Sequence, residues 1–488
     1  MNPLKKLLGQ TAIYGLSSIV GRLLNYLLVP LYTRYFTTSE YGDVTLLYAF
    51  VAFLLIVLTY GMETAFFRFS QRHPNKSTVY STSLITLLIS SCLFLVLTLF
   101  NAQAIADALS FSAHPEYVQY FALILALDAL SAISFAKLRE QNRALRFASV
   151  RLFNIFVNIG LNLFFIVYCP LALSNNLQGA ELIQNIYSED IGIGYIFIAN
   201  LVASALTLLL FVPEMLKSSW RFDAVLWRKM MLYALPLMVA GLAGITNETI
   251  DRILLKYLLP ADISASEIGL YSAFYKLSII MTLFVQTFRF AAEPFFFAQE
   301  KEKNAKEVYA LVMKYFTIVT AFIFLSVTIY YDLVKEFIGS DFHDERGAII
   351  VPILLLANLF LGLYYNLSVW YKLTEKTLFG AYISLFGAGI TVVLNLLLIP
   401  KLGFVGSAWA TLCCYFLMVL CSYFLGRKHY PIPYPLGRIG LYFTLMLALY
   451  FVSVNWSLGM LNNTLYLLIF IAVAFVLERP KHKGLISN

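Results

Sequence analysis

A few ionisable and polar side chains interrupt the long apolar stretches of this sequence, and those nearest its start suit the binding of an anion. On the first predicted helix Tyr14, Ser18, Arg22 and Asn25 follow at i, i+4, i+8 and i+11, which places them on one helical face. A charge inside hydrocarbon costs at least about 2.5–3.5 kcal/mol, so Arg22 should face a water-filled cavity or a partner. Because a guanidinium keeps its charge and offers a planar fork of donors, this face suits an anionic group such as a phosphate.

Asp128 is a carboxylate near the middle of the predicted fourth span, roughly 18 Å from its outer end. A midplane carboxylate can exchange a proton or Na⁺ as its surroundings open to one side and then the other. Asp128 is therefore predicted to couple transport to an ion. The alternative is a fixed internal ion pair between Asp128 and Arg22, which is compatible with a cavity that is empty of substrate.

Two further basic residues are candidates for substrate binding. Lys276 lies roughly 12 Å from the outer end of the predicted eighth span. Arg252 lies near the outer end of the seventh, four residues after Glu248, so a helix-end ion pair is its alternative role. Pro236 and two glycines interrupt the same span, which indicates either a hinge or a close helix crossing.

The fifth predicted span carries Asn154, Asn158 and Asn162 at strict i, i+4, i+8 spacing. This second polar stripe lies in the same half of the chain as Arg22. It suits either a cavity wall or hydrogen bonds to neighbouring helices, and the sequence leaves both open.

The composition decides which kind of protein positions these residues. Of 488 residues 60% are apolar and only 13% are charged, with a mean hydropathy of +0.77, so a water-soluble enzyme is excluded. The net charge of +8 comes from short basic clusters between apolar segments, which argues against nucleic acid as a partner. No cofactor or metal motif appears, and the five cysteines show no metal-like spacing, so neither a cofactor nor a metal is predicted.

The apolar stretches predict an all-α integral membrane protein with fourteen spanning helices. The spans are placed near residues 9–31, 43–67, 79–101, 116–136, 148–169, 192–213, 230–255, 268–295, 309–331, 348–371, 378–400, 404–425, 438–454 and 459–477. The predicted organisation is a six-helix bundle at 1–213, a cytoplasmic linker at 214–229, a second six-helix bundle at 230–425, and two further helices with a tail at 426–488. With both termini inside, 25 of the 35 Lys and Arg residues fall in cytoplasmic connections or at the cytoplasmic ends of spans, as the positive-inside rule requires.

Weak internal repetition supports two parallel bundles. Residues 39–42 (SEYG) follow the first span and residues 266–269 (SEIG) follow the seventh. Phe67-Arg68-Phe69 and Phe288-Arg289-Phe290 close the helices that come next. Six spans separate the two copies. Because six is an even number of spans, both copies have the same orientation in the membrane and are related by an axis along the membrane normal.

Three segments resemble the polysaccharide transporter (O-antigen flippase) family of the multidrug/oligosaccharidyl-lipid/polysaccharide exporter superfamily. They are Tyr41-Gly42, residues 61–69 (GMETAFFRF) and residues 395–411 (NLLLIPKLGFVGSAWAT). The resemblance implies a flippase of the bacterial inner membrane, not an enzyme, that moves an undecaprenyl-diphosphate-linked oligosaccharide to the outer leaflet for cell-surface polysaccharide or lipopolysaccharide synthesis. By helix, Arg22 and Lys276 match the family's cationic residues on the first and eighth helices, although a lysine lacks the bidentate geometry of arginine.

The resemblance leaves one alternative within the same superfamily, a cation-coupled multidrug exporter, whose cavity would favour acidic groups. For the flippase, the resemblance implies three kinds of partner: the lipid-linked oligosaccharide, membrane lipids, and a proton or Na⁺. A membrane glycosyltransferase or polymerase is disfavoured because the longest predicted outer connection, residues 170–191, is too short to build an active site outside the bilayer.

Overall fold

The computed structural model describes residues 15, 17, 19–177, 180–300, 302–456 and 459–479. The described residues form α-helices joined by short connections and contain no β-strand. Fifteen longer helices are labelled here in chain order. They are α1 Thr38–Thr59, α2 Met62–Arg72, α3 Lys76–Phe100, α4 Pro115–Glu140, α5 Ala144–Leu163, α6 Gly194–Leu216, α7 Ala224–Leu258, α8 Ala261–Leu277, α9 Ile279–Gln299, α10 Ala305–Ile329, α11 Gly347–Leu367, α12 Leu378–Leu402, α13 Phe404–His429, α14 Leu436–Asn455 and α15 Met460–Glu478.

Shorter helical segments complete the described chain. Residues 19–26 are helical and belong to the first predicted span. The others are Val29–Tyr35, Ala102–Ala108, Cys169–Ser174, Ala180–Ile186, Tyr331–Lys335 and Val369–Leu373, with a π-helical turn at Phe164–Tyr168 and 3₁₀ turns at Glu189–Ile191 and Ser340–Phe342.

Within the described residues twelve helical segments are long and apolar enough to cross a membrane. They correspond one by one to the second to thirteenth predicted spans, which confirms the predicted all-α membrane fold. The first predicted span begins outside the described residues, and the fourteenth corresponds to the shorter apolar helix Asn463–Glu478. The prediction was wrong in detail at the eighth span, because the chain breaks at Ser278 and the spanning helix is Ile279–Gln299.

The chain divides into two compact units, Met1–Gly269 and Leu270–Asn488. The boundary differs from the predicted linker at 214–229, because α7 packs against α1 and α2 and so belongs to the first unit. In that unit α4 packs on α1, α3 and α6. Its buried core includes Met62, Phe66, Leu84, Ile133 and Phe211.

Of the two explanations for the glycines of the seventh span, the structure supports a close helix crossing, because a Cβ on Gly241 would lie 3.3 Å from Ile56 Cγ2 of α1. Helix α7 runs without interruption through Pro236, whereas the second span breaks between α1 and α2. Tyr60 and Gly61 have φ of 35° and 75° at this break, in the left-handed region. A Cβ on Gly61 would lie 2.9 Å from the Ala234 carbonyl oxygen, so a glycine is needed both for the backbone angle and for the close approach of α7.

The two copies of the repeated S-E-x-G motif meet within the first unit, where α1 crosses α8. A Cβ on Gly42 would lie 1.8 Å from the Ala265 carbonyl oxygen, and one on Gly269 would lie 1.9 Å from the Thr38 carbonyl oxygen. The hydroxyl groups of Thr38 and Ser266 share a hydrogen bond of 2.7 Å beside this crossing. Because positions 38 and 42 are equivalent in the repeat to 265 and 269, the contact is reciprocal, with each glycine against the other motif's backbone.

In the second unit α13 packs against α11 and α12, and α14 and α15 pack against α10. Glu478 near the end of α15 connects this last group: its carboxylate pairs with Lys314 of α10 and accepts a hydrogen bond of 2.8 Å from the Tyr442 hydroxyl of α14. The two C-terminal helices are therefore attached to the second unit by a half-buried ion pair as well as by apolar contact.

Candidate functional site

Arg22 lies on the helical segment 19–26, where Gly21 allows a close approach to α5. A Cβ on Gly21 would lie 2.6 Å from the Ile155 Cδ1 atom. Ile155 is one helical turn from Arg151, so this contact brings Arg22 next to a second arginine. Both arginine side chains are exposed.

Arg22, Arg139, Arg151 and Glu63 form a charged group that we call the arginine cluster. Arg139 near the end of α4 binds the Glu63 carboxylate of α2 at 2.7 Å. Arg151 of α5 interacts electrostatically with Arg22, Arg139 and Glu63. Four helical segments of the first unit thus contribute one charge each.

The arginine cluster carries more positive than negative charge. Arg139 and Arg151 lie near the Glu63 carboxylate and Arg22 lies near Arg151, so the group has a net charge of two positive units. Among the described residues neither Arg22 nor Arg151 has a carboxylate within ion-pair distance. Guanidinium groups bind phosphate oxygens through two parallel hydrogen bonds, and a neighbouring unneutralised charge strengthens them. The arrangement is therefore suited to a divalent or diphosphate anion.

Asp128 occupies a separate polar group on the same helix as Arg139. Its carboxyl interacts with the Ser204 hydroxyl of α6 and lies close to the Tyr48 hydroxyl of α1. The Asn200 side chain donates to that Tyr48 hydroxyl at 3.0 Å. In the described part of the chain Asp128, which is half-buried, has no ion pair.

The alternative in which Arg22 and Asp128 form an ion pair is wrong for the described structure. Arg22 is close to Arg151 instead. Asp128 precedes Arg139 by eleven residues, or roughly 16 Å along α4, so the arginine cluster and Asp128 lie at different depths.

The asparagine stripe of α5 is used in helix packing. Asn154 donates to the Thr207 hydroxyl of α6 at 2.9 Å, and the Tyr32 hydroxyl donates to the Asn162 side-chain oxygen at 2.9 Å. Asn162 also donates to the Asn158 backbone carbonyl at 2.8 Å. Of the two interpretations left open by the sequence, hydrogen bonding between helices is the one observed here.

The other predicted binding residues have different surroundings. Arg252 is buried and paired with Asp251 at 2.9 Å, and it also donates to the Glu248 backbone carbonyl at 3.0 Å. Lys276 is half-buried in the last turn of α8, in the second unit. Asn25 is exposed on the same segment as Arg22. Tyr14 and Ser18 lie outside the described residues.

Sequence reasoning missed Arg151, Arg139 and Glu63 as members of this site. Arg151 and Arg139 belong to the basic residues that the sequence predicts in or beside a cytoplasmic connection, and Glu63 lies near the inner end of the second predicted span. One signal was available: positions 151, 154, 158 and 162 are spaced by three and four residues, so Arg151 extends the asparagine face of α5 into the cluster.

Comparison with known sequences identifies a family. Residues 7–300, more than half of the chain, match the family model described as "Polysaccharide biosynthesis protein". No curated protein sequence matches the chain significantly.

Comparison with solved structures identifies related folds. A structure titled "Lipid II flippase MurJ, inward closed conformation" is similar with a TM-score of 0.70 at 15% identity, covering 95% of this chain and 98% of that one. An inward-facing multidrug resistance MATE family transporter of the MOP superfamily gives a TM-score of 0.62 at 12% identity, with coverages of 89% and 96%. An outward-facing structure of a MATE family transporter gives 0.61 at 13% identity, with the same coverages. These likenesses show the transporter fold.

Proposed function

The chain belongs to the polysaccharide biosynthesis protein family, and from this premise we propose that it is a flippase for an undecaprenyl-diphosphate-linked oligosaccharide. It would move this lipid-linked substrate from the cytoplasmic to the outer leaflet of a bacterial inner membrane by alternating access. The product would serve the synthesis of lipopolysaccharide O-antigen or another cell-surface polysaccharide.

The arginine cluster is the observation that supports this substrate class. Arg22, Arg139 and Arg151 carry three positive charges, and Glu63 neutralises one of them, so the remaining two match the charge of a diphosphate. A sugar attached to the diphosphate needs only hydrogen bonds. Lys276 and Arg252, on other helices, stay predicted substrate-binding residues apart from this cluster. Tyr14, Ser18 and Asn25, which share one face of the first predicted helix with Arg22, would contribute hydrogen bonds.

Transport by purified protein in liposomes tests this proposal. Full-length protein is reconstituted with a fluorescent oligosaccharide linked to undecaprenyl diphosphate, and the fraction accessible to a membrane-impermeant quencher is followed with time. We expect faster transfer than in protein-free liposomes, and slower transfer when a monophosphate replaces the diphosphate. Transfer no faster than in empty liposomes would contradict the proposal.

A cation-coupled multidrug exporter is the second candidate, and Asp128 is the observation that favours it. Asp128 has no ion pair among the described residues and lies among hydroxyl and amide groups. Uptake of a hydrophobic cation into the same liposomes, without transfer of the lipid-linked sugar, would identify this second function.

We expect Asp128→Asn to abolish the dependence of transport on a proton or Na⁺ gradient. The amide keeps the size of the side chain and its hydrogen bond with Ser204, but it can neither release a proton nor neutralise a cation. Initial rates are measured in proteoliposomes with each gradient imposed and collapsed. Ser204→Ala, which leaves the carboxyl in place, is the control and should retain gradient dependence. Unchanged gradient-driven transport by Asp128→Asn would refute the coupling role.

The proposed orientation places both termini in the cytoplasm. In a variant without the five native cysteines, we expect single cysteines at Ser112 and Ser340 to react with an impermeant thiol reagent added outside cells. Cysteines at Gln141 and Glu302, which are equally exposed, should react only after the membrane is permeabilised. Labelling of both pairs from outside would contradict the orientation.

A further inference from the structure

A shallow, open cleft with about 20 Å³ of water-accessible space lies in the second unit between α9 and the helices that follow one another at Gly347–Leu367 and Val369–Leu373. Its lining combines charged, polar and aromatic side chains. They include Arg289, Glu293, Phe296, Tyr365, Ser368 and Lys372.

Arg289 and Lys372 differ in how their charges are neutralised. Lys372 Nζ lies 3.0 Å from a carboxylate oxygen of Glu293, so this pair is balanced. The Arg289 guanidinium lies over the Tyr365 ring, 4.7 Å from its centroid, and within the described residues it has no carboxylate partner. The cleft therefore keeps one positive charge, held in place by a ring that does not neutralise it.

The remaining wall of the cleft is apolar. Phe288, Phe296 and Phe297 line it, and Phe297 is exposed on the helix surface. Where aromatic side chains lie beside a basic pocket between spanning helices, the aromatic rings provide a surface for acyl chains and the basic residues bind an anionic headgroup. A soluble anion would use the charge but not the apolar wall.

We propose that this cleft binds an anionic phospholipid, with the phosphoryl group on the Arg289 guanidinium and an acyl chain along the exposed Phe297 ring. The site is additional to the arginine cluster: all of its residues belong to the second unit, and the proposed diphosphate site belongs to the first.

Replacing Glu293 distinguishes lipid binding from a merely structural role of the cleft residues, because the two give opposite results. Because Glu293 neutralises Lys372, replacing it by glutamine frees a second cation in the cleft. Affinity for an anionic lipid should then rise, whereas damage to the fold would lower it. Arg289→Gln should have the opposite effect.

Native mass spectrometry of the purified full-length protein tests these expectations. Dioleoyl phosphatidylglycerol is titrated into the wild type and the variants, and the occupied fraction is compared. We expect Arg289→Gln to weaken binding about tenfold and Glu293→Gln to tighten it severalfold. Arg68→Gln is the matched control, because Arg68 is the repeat equivalent of Arg289 and lies 4.2 Å over the Tyr233 ring. Its binding should be unchanged.

Three results would overturn the proposal. The first is equal losses in Arg289→Gln and Arg68→Gln, which would indicate a general basic surface. The second is equally tight binding of glycerol phosphate, which would indicate a soluble anion. The third is displacement of phosphatidylglycerol from the cleft by stoichiometric undecaprenyl diphosphate, which would make the cleft part of the substrate path. The liposome transport assay tests the flippase proposal separately, so the loss of this lipid site would not by itself refute the proposed function.

Discussion

Replacing Arg151 by alanine should reduce transport of a diphosphate-linked oligosaccharide by about 10- to 100-fold. Hydrogen bonds to charged groups contribute about 1.5–3 kcal/mol each, which corresponds to that range. Arg151 is the member of the arginine cluster that interacts with all three others, so its removal also lowers the potential at Arg22. Arg22→Ala should reduce transport by a similar factor.

The conservative variants show whether the guanidinium or only its charge matters. Arg22→Lys and Arg151→Lys keep the charge but lose the planar fork of donors, so we expect them to retain a small part of the activity. Transport rates in proteoliposomes are normalised to the amount of reconstituted protein. Arg228→Ala is the control, because Arg228 is an exposed arginine of α7 outside the cluster, and it should transport like the wild type.

A double variant distinguishes substrate binding from internal charge balance. If Arg22 only neutralised Asp128, removing both side chains would restore transport, since no buried charge would remain unpaired. The structure places Arg22 beside Arg151 instead, so Arg22→Ala combined with Asp128→Ala should stay inactive. Recovery of export in the double variant would reduce Arg22 to a structural residue.

Gly42→Ala should strongly lower the amount of folded protein. The added Cβ would lie 1.8 Å from the Ala265 carbonyl oxygen, and this oxygen belongs to a helix backbone that cannot move alone. Overpacking in a well-packed region typically costs about 1–3 kcal/mol, and a clash with backbone should reach or exceed the upper end. Gly269→Ala should behave in the same way, because its Cβ would meet the Thr38 carbonyl at 1.9 Å.

The level of monodisperse protein in detergent and its melting temperature measure this effect. Gly244→Ala in α7 is the matched control, since its Cβ would have no neighbour within 4 Å. A helical glycine with free space should gain about 0.5–1 kcal/mol on replacement by alanine. The double variant Gly42→Ala with Gly269→Ala should cost less than the sum of the two, because one opening of the crossing relieves both clashes. Normal folding of either glycine variant would show that α1 and α8 do not cross as closely as described.

The positions of the spanning helices are largely determined by local sequence. A stretch of about twenty apolar residues must satisfy its backbone hydrogen bonds internally once it lies in lipid, so it forms a helix whatever surrounds it. This is why the second to thirteenth predicted spans reappear in the structure within a few residues at most ends. The exception is the eighth, where the apolar stretch continues through Ser278 and only the observed backbone shows the break.

Partners across helices required the tertiary structure. The sequence indicates that Arg22, Asp128 and Arg252 are costly in a membrane, but not which groups they meet, because that depends on how helices far apart in the chain are rotated and packed. Gly21 allows the helical segment 19–26 to lie close to α5, which places Arg22 next to Arg151. Arg252 forms its ion pair with the neighbouring Asp251. The repeated glycines at 42 and 269 were visible as a pattern, yet only packing showed that they face each other. The apolar composition and the spacing of residues along the chain therefore determined where the helices lie in the sequence. Close contacts between helix backbones decided which charged residues share a site.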